Sequence, residues 1–360
     1  MDVLQATRSY EQWMRRCTTV VEAHLRRKHV QMRGDLFAFL RGTFYRWAEL
    51  WPEACPDLRD APRVLAIGDL HVDSFGTWRD AEGRLCWGVD DFDDAYPLAY
   101  TNDLVRLAAS ARIVIDDDRL AMSFRDACDA ILEGYRGTLR QGGCPIVLGE
   151  REVTLERLGI AALKPPEDFW PKLQALPHVR RPLRSDARRA LEHALPEPGL
   201  KYSVVTRTTG MGSLGQQRFA AIAMWKGGLV AREVKSMVPS ALAWLDGRVN
   251  RDESYYERAL DGAVRSRDPF QSITGAWLVR RLSPDANPIE IIDLPKKRDE
   301  AVLLQSMGIE AANVHLGSRR QTRRILADLQ RRKANWLRAA ARAMADVVHD
   351  EWKTFRKAAG

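Results

Sequence analysis

The sequence predicts an α+β protein in which a β-rich unit separates two mainly helical segments. Apolar residues recur at helical spacing in residues 8–52 and again beyond residue 300. Between these segments, residues 201–236 combine β-branched and aromatic residues with glycine-rich turns, a pattern typical of antiparallel strands. A chain of 360 residues is also long enough for two domains, or for one large protein of two lobes.

Proline and glycine positions divide the chain into individual elements. The helices of residues 8–52 end where Pro52, Pro56 and Pro62 interrupt the apolar pattern. The next predicted elements are short strands at 64–67 and 85–89 that flank an acidic loop, and helices at 101–116 and 119–141. A Pro- and Arg-rich connector at 165–200 then leads to strands at 202–206, 218–225 and 229–234, a helix at 253–266, and strands at 275–282 and 288–293. A final helix has one apolar face, formed by Ile325, Leu329, Trp336, Ala340, Met344, Val347 and Val348.

The composition is that of a folded globular protein with a moderate positive charge. Hydrophobic residues make up 45% of the chain, and 56 Lys and Arg against 48 Asp and Glu leave a net charge of +8, which permits anionic partners but requires none. We expect no membrane span, because no stretch reaches about 18 apolar residues, and the N-terminal residues lack the apolar core of a secretory signal. Five scattered cysteines without C-x-x-C pairs favour a cytoplasmic protein.

Two acidic segments carry the first candidate functional residues. In the segment IGDLHVDSFG a short strand leads Asp69 and His71 into a loop. In the segment GVDDFDDA the next strand leads to Asp91 and Asp93. Carboxylates clustered on turns suit a hard cation such as Mg²⁺, and a separate carboxylate can accept a proton from an attacking hydroxyl.

Two other interpretations of these segments remain open. Asp is favoured in turns, so both loops could be purely structural. The Gly-Asp-x-His pattern also opens the signature of metallophosphoesterases, which need further histidines to build a two-metal site. None of the seven histidines of this chain stands in a Gly-Asn-His segment, which counts against a metallophosphoesterase.

A glycine-rich segment follows the first predicted strand of the β-rich unit. Gly210, Gly212 and Gly215 form a GxGxxG pattern that also contains Ser213, and such glycines let backbone N–H groups approach phosphates. This pattern occurs in Rossmann dinucleotide sites, where a helix follows, and in kinase-type loops between antiparallel strands. The Lys-Gly-Gly turn and the apolar residues that flank it favour a hairpin, and hence a kinase-type loop.

A lysine and a glutamate complete this candidate nucleotide site. Lys235 ends the strand that follows the hairpin turn, and a kinase-type site needs such a lysine to reach the α- and β-phosphates. Glu257, in the next predicted helix, is the candidate that would hold this lysine in place. A solvated lysine at a strand end and a surface glutamate on a helix are the alternatives.

These motifs together resemble the protein-kinase-like superfamily, chiefly its aminoglycoside and choline phosphotransferases, and more closely domain-of-unknown-function family 2252. That family is marked by G-D-x-H-x-x-N-F-G, N-D-F-D and D-x-x-R-L-A-A-S, which stand here as Gly68–Gly76, Asp90–Asp93 and Asp103–Ser110. The segments Phe37–Gly42, Gly210–Gly215 and Val234-Lys235 also match, so the resemblance spans roughly residues 28–318.

The order of the motifs implies a circularly permuted kinase-like fold of two lobes, because the catalytic and metal motifs precede the glycine loop and the lysine. The resemblance implies a helical catalytic lobe at residues 1–199, a β-rich nucleotide lobe at 200–298, and C-terminal helices at 299–360 that return to the catalytic lobe. It implies ATP and Mg²⁺ as cofactors, and a nucleotide and a hydroxyl-bearing acceptor as partners.

The resemblance also assigns roles to individual residues. Asp69 matches the catalytic base, with His71 in the same motif, Asp91 matches the metal-binding aspartate, and Lys235 matches the phosphate-binding lysine. Ser74 stands where the family has a metal-binding asparagine, and a serine hydroxyl is a poorer Mg²⁺ ligand than an amide oxygen. The neighbouring carboxylates of Asp73 and Asp93, or a water molecule, could compensate, while Asp90 in place of Asn adds negative charge beside the metal position.

Basic residues form two further clusters. One lies in the connector and one on the predicted final helix: Arg180, Arg181, Arg184, Arg188 and Arg189, then Arg319, Arg320, Arg323, Arg324, Arg331, Arg332, Lys333, Arg338 and Arg342. A solvated helix face accounts for them better than a nucleic-acid site does, although nucleic acid remains an alternative partner.

The sequence therefore predicts a phosphotransferase that uses ATP and Mg²⁺ on a hydroxyl of an unknown acceptor. A catalytically weak or inactive nucleotide-binding protein, or one that transfers nucleotidyl groups, is the alternative within the same fold. A basic module that binds nucleic acid or protein is the alternative from another class.

Overall fold

The computed structural model describes residues 1–149, 163, 165–249, 255–286, 289, 291 and 299–358. The helices are α1 (Val3–Cys17), α2 (Glu22–Gly34), α3 (Leu36–Gly42), α4 (Phe44–Ala54), α5 (Pro56–Arg59), α6 (Tyr100–Asp116), α7 (Phe124–Gln141), α8 (Pro166–Gln174), α9 (Ser185–Ala194), α10 (Ala241–Leu245), α11 (Tyr255–Gly262), α12 (Glu300–His315), α13 (Thr322–Arg331) and α14 (Trp336–Lys357). A 3₁₀ segment, Leu316–Gln321, joins α12 to α13. The strands are β1 (Arg63–Ala66), β2 (Phe75–Arg79), β3 (Leu85–Val89), β4 (Tyr96–Ala99), β5 (Tyr202–Thr206), β6 (Arg218–Trp225), β7 (Gly228–Ser236), β8 (Ser272–Thr274) and β9 (Trp277–Leu282).

The β-rich unit is a five-stranded antiparallel sheet in the order β5-β6-β7-β9-β8. The three strands predicted in residues 202–234 are confirmed as β5, β6 and β7. A two-residue turn joins β6 to β7, and both of its residues have positive φ, 46° at Lys226 and 86° at Gly227, as a type I′ hairpin requires. The strand predicted at 275–282 is β9, whereas most of the one predicted at 288–293 lies outside the described residues.

The two helices α8 and α9 cover opposite faces of this sheet. Alternate residues of β6 point to opposite sides, so Ile222 packs with Leu173 of α8 while Ala221 packs with Leu191 of α9. The segment predicted as a connector therefore contains helices that pack on the sheet. The predicted division of the chain at residues 199 and 298 stays a prediction.

The short strands near the acidic loops form two separate pairs, for which the sequence predicted only one strand of each. β1 pairs with β4 and β2 pairs with β3, each in a separate two-stranded antiparallel sheet. The strands β2 and β4 were not predicted. β2 begins directly at the end of the first acidic segment, and β4 contains Pro97, which cannot donate a hydrogen bond to a neighbouring strand.

The helical part of the chain is built around α6, most of whose residues are buried. The helix predicted at 101–116 is confirmed as α6, and the one predicted at 119–141 begins later, at Phe124, where the Ser123 side chain caps α7. Helices α7 and α12 pack closely through two glycines. A Cβ on Gly134 would lie 2.0 Å from a carbonyl oxygen of α12, and one on Gly308 would lie 2.1 Å from a carbonyl oxygen of α7.

The C-terminal region forms two helices rather than the single final helix predicted, because α13 ends at Arg331 and α14 begins at Trp336. The predicted basic cluster is therefore divided between the 3₁₀ segment, α13 and α14. Helix α14 returns to the N-terminal helices, where Glu351 forms an ion pair with Arg46 of α4. In the part of the chain that the structure describes, no helix has both the length and the apolar character needed to cross a membrane.

Candidate functional site

A cleft of about 190 Å³ lies where the acidic segments meet the five-stranded sheet. Eight of the eleven predicted site residues line it: Asp69, His71, Ser74, Asp91, Asp93, Gly210, Gly212 and Ser213. Lys235, in β7, does not line the cleft but forms an ion pair with Asp93, which does. Gly215 and Glu257 do not line the cleft either. The tertiary structure thus brings together motifs that are about 140 residues apart in the chain.

Helix α6 holds the first acidic loop, residues 67–74, in place through the backbone of the loop. The carboxylate of Asp103 accepts hydrogen bonds from the N–H groups of Ile67 (2.7 Å) and Gly68 (3.0 Å). The hydroxyl of Ser110 accepts one from the N–H of Val72 (3.0 Å). The two side chains are seven positions apart, which places them on the same helix face. The segment D-x-x-R-L-A-A-S therefore fixes the shape of this loop.

The third polar residue of that face, Arg106, holds Asp69 itself. Its Nε donates to Oδ1 of Asp69 at 2.6 Å, and its Nη2 donates to the carbonyl of Leu40 at 2.9 Å. The fully buried guanidinium also packs on the rings of Phe44 and Trp47, 4.9 Å and 4.8 Å from their centroids. Burial raises the pKa of the Asp69 carboxyl, and the charge of Arg106 limits the rise.

His71 and Ser74 are engaged within the first acidic loop. Nδ1 of His71 accepts a hydrogen bond from the N–H of Asp73 at 3.2 Å, and burial lowers the pKa of this imidazole well below its usual value, so it is neutral. The Ser74 hydroxyl donates to the carbonyl of Asp69 (3.1 Å) and accepts from the N–H of His71 (3.0 Å). Both side chains stabilise the loop conformation that positions Asp69.

The second acidic loop, residues 90–94, is joined to the first and to the sheet. The N–H of Asp90 donates to the carbonyl of Ser74 at 3.1 Å. The ammonium of Lys235, which is fully buried in β7, forms an ion pair with Asp93 and lies 3.9 Å from Oδ1 of Asp91. Partial burial favours a higher pKa for Asp91, but Lys235 and Arg280 outweigh it and lower this pKa, so Asp91 is ionised.

The second acidic loop also contains carboxylates that resist ionisation. Burial raises the pKa of Asp90 to about 6, although Arg280 lies 3.7 Å away. Burial and the charge of Asp69 raise the pKa of Asp94 to about 7. Oδ1 of Asp94 accepts from the N–H of Ala241 at 2.7 Å, so this carboxyl connects the loop to α10.

The glycine loop, residues 210–215, joins the antiparallel strands β5 and β6, and no helix follows it, so it is not a Rossmann loop. The helical part of the chain holds it at two points: Lys28 donates to the carbonyl of Gly212 at 3.1 Å, and the N–H of Val21 donates to the carbonyl of Gly215 at 2.8 Å. A Cβ on Gly212 would lie 3.8 Å from Oδ2 of Asp69. The loop therefore lies directly over the candidate catalytic carboxylate.

Two of the predicted site residues have other roles in this structure. The expected ion pair between Lys235 and Glu257 does not form, because Lys235 pairs with Asp93 and the Glu257 carboxylate accepts a hydrogen bond from the N–H of Ile273 at 2.9 Å. Glu257 thus caps the edge strand β8. Gly215 has a φ of +108° and packs against α2, where a Cβ would lie 2.7 Å from a methyl carbon of Leu25.

The carboxylates of the second acidic loop are the groups that could hold a divalent cation. Among the described residues, no three His, Cys, Asp or Glu side chains lie close enough to hold a metal ion together. Mg²⁺ commonly binds through one or two carboxylates, with waters and substrate phosphates as the other ligands. The carboxylate of Asp91, 45% exposed, and the buried Oδ1 of Asp93, which has no hydrogen-bond partner in the described part of the chain, suit that kind of site. The residues therefore fit a Mg²⁺ ion that arrives with a nucleotide.

Sequence reasoning did not assign a function to several residues that shape the cleft. Asp103, Arg106 and Ser110 belong to the motif D-x-x-R-L-A-A-S, and their spacing of three and four residues, which places them on one helix face, was the available signal. Arg218 also had no assigned role. Its guanidinium donates to Ser213 Oγ at 2.5 Å and pairs with Glu233 at 3.1 Å, so it ties the glycine loop to β7.

Comparisons with known proteins place only the first part of the chain. No curated protein and no solved structure matches it. A match to a protein family ends before the glycine loop and Lys235, but it contains both acidic loops and the motif on α6. Over residues 3–152, the chain matches the family described as uncharacterized protein conserved in bacteria (DUF2252).

Proposed function

We propose that this protein is a phosphotransferase with a circularly permuted kinase-like fold, which transfers the γ-phosphoryl group of ATP to a hydroxyl of an acceptor. The observation that carries the proposal is the convergence of three features in one cleft. A glycine loop between antiparallel strands lies over Asp69, a buried strand lysine contacts the second acidic loop, and that loop carries two carboxylates suited to Mg²⁺. These are the parts that phosphoryl transfer requires.

In the proposed reaction the acceptor hydroxyl attacks the γ-phosphorus. A new O–P bond forms, the bond between the γ-phosphorus and the β,γ-bridging oxygen breaks, and ADP leaves with the electron pair. The hydroxyl proton passes to Asp69. Arg106 donates a hydrogen bond to Oδ1 of this carboxylate. The other oxygen, Oδ2, lies on the side of Gly212 and is therefore the one available to accept the proton.

The second acidic loop and the sheet would bind the phosphates. Asp91 and Asp93 would hold Mg²⁺, which supplies charge neutralisation on the β- and γ-phosphates when bound. Lys235 would exchange its ion pair with Asp93 for a phosphate oxygen. The cleft volume of about 190 Å³ is below the roughly 300–1,000 Å³ usual for small-molecule sites, so nucleotide binding requires the cleft to widen.

A thermal-shift titration with ATP and MgCl₂ tests the nucleotide site. At 100 times Kd, ligand should stabilise the wild-type protein by about 2.7 kcal/mol. Asp91→Asn should lose the Mg²⁺-dependent part of the shift and Lys235→Met most of the ATP shift, whereas Lys201→Met, at an exposed lysine before β5, should keep both. The absence of a Mg²⁺-dependent shift in the wild type, or equal shifts in folded forms of all variants, would refute the nucleotide site.

A second function, nucleotide binding without efficient transfer, is favoured by Ser74. Its hydroxyl is already engaged in two hydrogen bonds within the first acidic loop, at the position where the family that the sequence resembles carries a metal-binding asparagine. Measuring ADP and pyrophosphate release alongside the thermal shift separates the functions. ADP release supports phosphoryl transfer, pyrophosphate release supports nucleotidyl transfer, and a shift without either product supports the non-catalytic function.

A further inference from the structure

A second cavity, of about 500 Å³, adjoins the cleft on the side of helices α2 and α3. The two cavities share Arg41 and Asp73, whose side chains form an ion pair at 3.0 Å, and the glycine loop at Gly210 and Met211. Its volume falls within the range of roughly 300–1,000 Å³ that small-molecule sites occupy. The phosphate-binding parts proposed above belong to the first cavity, so the second is available for another ligand.

The shared wall lies next to the candidate catalytic carboxylate. A Cβ built on Gly212 would lie 3.5 Å from the carbonyl oxygen of Arg41 and 3.8 Å from Oδ2 of Asp69. Asp73 follows Asp69 by four residues in the same loop. A ligand in the second cavity that extended past this wall would therefore bring its end group to Asp69, where the attacking hydroxyl must be.

The charge of the second cavity indicates the chemistry of this ligand. Arg27, Arg41 and Arg119 line it together with Asp35 and Asp73, so the described lining carries an excess of one positive charge. Arg41 pairs with Asp73 at 3.0 Å, and Arg119 pairs with Asp35 at 2.5 Å. Arg27 is exposed on α2 and forms no ion pair with a residue that the structure describes.

Arg41 and Arg119 are held in the wall of the cavity, because both pair with carboxylates and their guanidinium groups lie 5.7 Å and 5.9 Å from the centroid of the Phe37 ring. Arg27 is the arginine of the lining that favours a small anion over a neutral polyol. A guanidinium binds a carboxylate or phosphate through two parallel hydrogen bonds. The carboxylates of the second acidic loop repel such a group, so the anionic end would lie toward Arg27 and the hydroxyl toward Asp69.

We propose that the second cavity binds the acceptor, and that the acceptor is a small hydroxyl compound carrying a carboxylate or phosphate group, recognised by Arg27. The identity of this ligand as an acceptor rests on the proposed phosphotransferase function. The binding of the anion does not, because it involves neither the nucleotide nor the metal.

Isothermal titration calorimetry without ATP or Mg²⁺ tests the proposal on the full-length protein. The probes are D-glycerate and glycerol 3-phosphate, which separate carboxylate from phosphate recognition, with glycerol as the neutral compound and inorganic phosphate as the anion without a carbon chain. Arg27→Ala is compared with Arg26→Ala, which removes the adjacent exposed charge of the same helix but does not line the cavity.

We expect at least one of the two hydroxy anions to bind the wild type and Arg26→Ala with similar affinity, and Arg27→Ala to bind it at least about tenfold more weakly. Glycerol and inorganic phosphate should bind more weakly than that anion. Equal affinities in all three proteins, no binding of either anion, or equal binding of glycerol would overturn the proposal. The ATP–Mg²⁺ shift of Arg27→Ala should match that of the wild type, so failure of anion binding is distinguishable from failure of the nucleotide site.

Discussion

Arg106 offers the most direct test of how the candidate site is held together. Replacing it by methionine keeps a long side chain in α6 but removes the charge that compensates Asp69. Breaking a buried ion pair by removing one partner typically lowers the free energy of unfolding by about 3–5 kcal/mol. We expect Arg106→Met to fall in that range, which is a large share of the roughly 5–15 kcal/mol that stabilises a typical domain.

The individual contacts of the Arg106 side chain lead to a similar loss in the free energy of unfolding. Its hydrogen bonds to Asp69 and to the carbonyl of Leu40 involve a charged donor, and each such bond contributes about 1.5–3 kcal/mol. Packing of the guanidinium on Phe44 and Trp47 adds about 0.5–2 kcal/mol. Apolar contacts of the methionine offset part of the loss, which leaves a net effect of about 3–5 kcal/mol.

Urea unfolding followed by tryptophan fluorescence measures this effect, since the chain has 11 tryptophans. The double variant Asp69→Asn/Arg106→Met removes both charges, so it should be more stable than Arg106→Met alone by about 2 kcal/mol. Arg106→Lys keeps the charge without the planar donor pair and should lie between Arg106→Met and the wild type. A loss below about 1 kcal/mol for Arg106→Met, or simple additivity in the double variant, would contradict the ion-pair argument.

Three further predictions concern the two acidic loops. In urea unfolding, Gly68→Ala should destabilise the protein by at least about 2 kcal/mol more than Gly83→Ala does. Both glycines have a positive φ, 87° and 76°, so the backbone strain of the two substitutions is similar. Only at Gly68 would the new Cβ also lie 2.2 Å from a carbonyl oxygen, that of Asp94. Asp94→Asn should stabilise the protein more at pH 8 than at pH 5, by up to about 3 kcal/mol. The pKa of about 7 means that the folded wild type keeps this proton up to about pH 7 while the unfolded chain has already released it, so the wild type loses stability as the pH rises over this range; an unchanged difference between the two pH values would contradict the prediction. His315→Leu should lower the free energy of unfolding by about 1–3 kcal/mol, because it removes the 3.0 Å hydrogen bond to the fully buried Asp103, and a neutral outcome would show that this bond is dispensable.

Local sequence signals predicted the elements whose partners are close in the chain. The strands β5, β6 and β7 are consecutive, and the Lys226-Gly227 turn fixes the register of β6 against β7, so their antiparallel order could be derived. The short strands β1 and β4 contain four residues each, and their pairing depends on packing beneath α6. The hydrophobic periodicity of the sequence does not predict such a pairing.

For the candidate site, too, the sequence predicted the residues of local motifs but not the contacts between residues that are far apart in the chain. Spacing and residue type identified the carboxylates of both acidic loops and the glycines above them. The partner of Lys235 could not be derived, because Asp93 precedes it by 142 residues and only the packing of the sheet on the acidic loop brings them together. Glu257 was chosen because it lies in the next predicted helix after Lys235, but its carboxylate accepts a hydrogen bond from the N–H of Ile273 in the edge strand β8 instead.

The contacts between the two ends of the chain have a consequence for its synthesis. Trp352 of α14 donates a hydrogen bond to the carbonyl of Met32, 320 residues earlier, and His315 reaches Asp103 across 212 residues. A nascent chain therefore cannot complete the support of the first acidic loop until the ribosome has released residues beyond His315. Contacts of such large sequence separation slow folding and leave apolar surface exposed in the interval. We expect nascent chains that end before α12 to bind chaperones, because the contacts of α6 with the C-terminal helices have not yet formed.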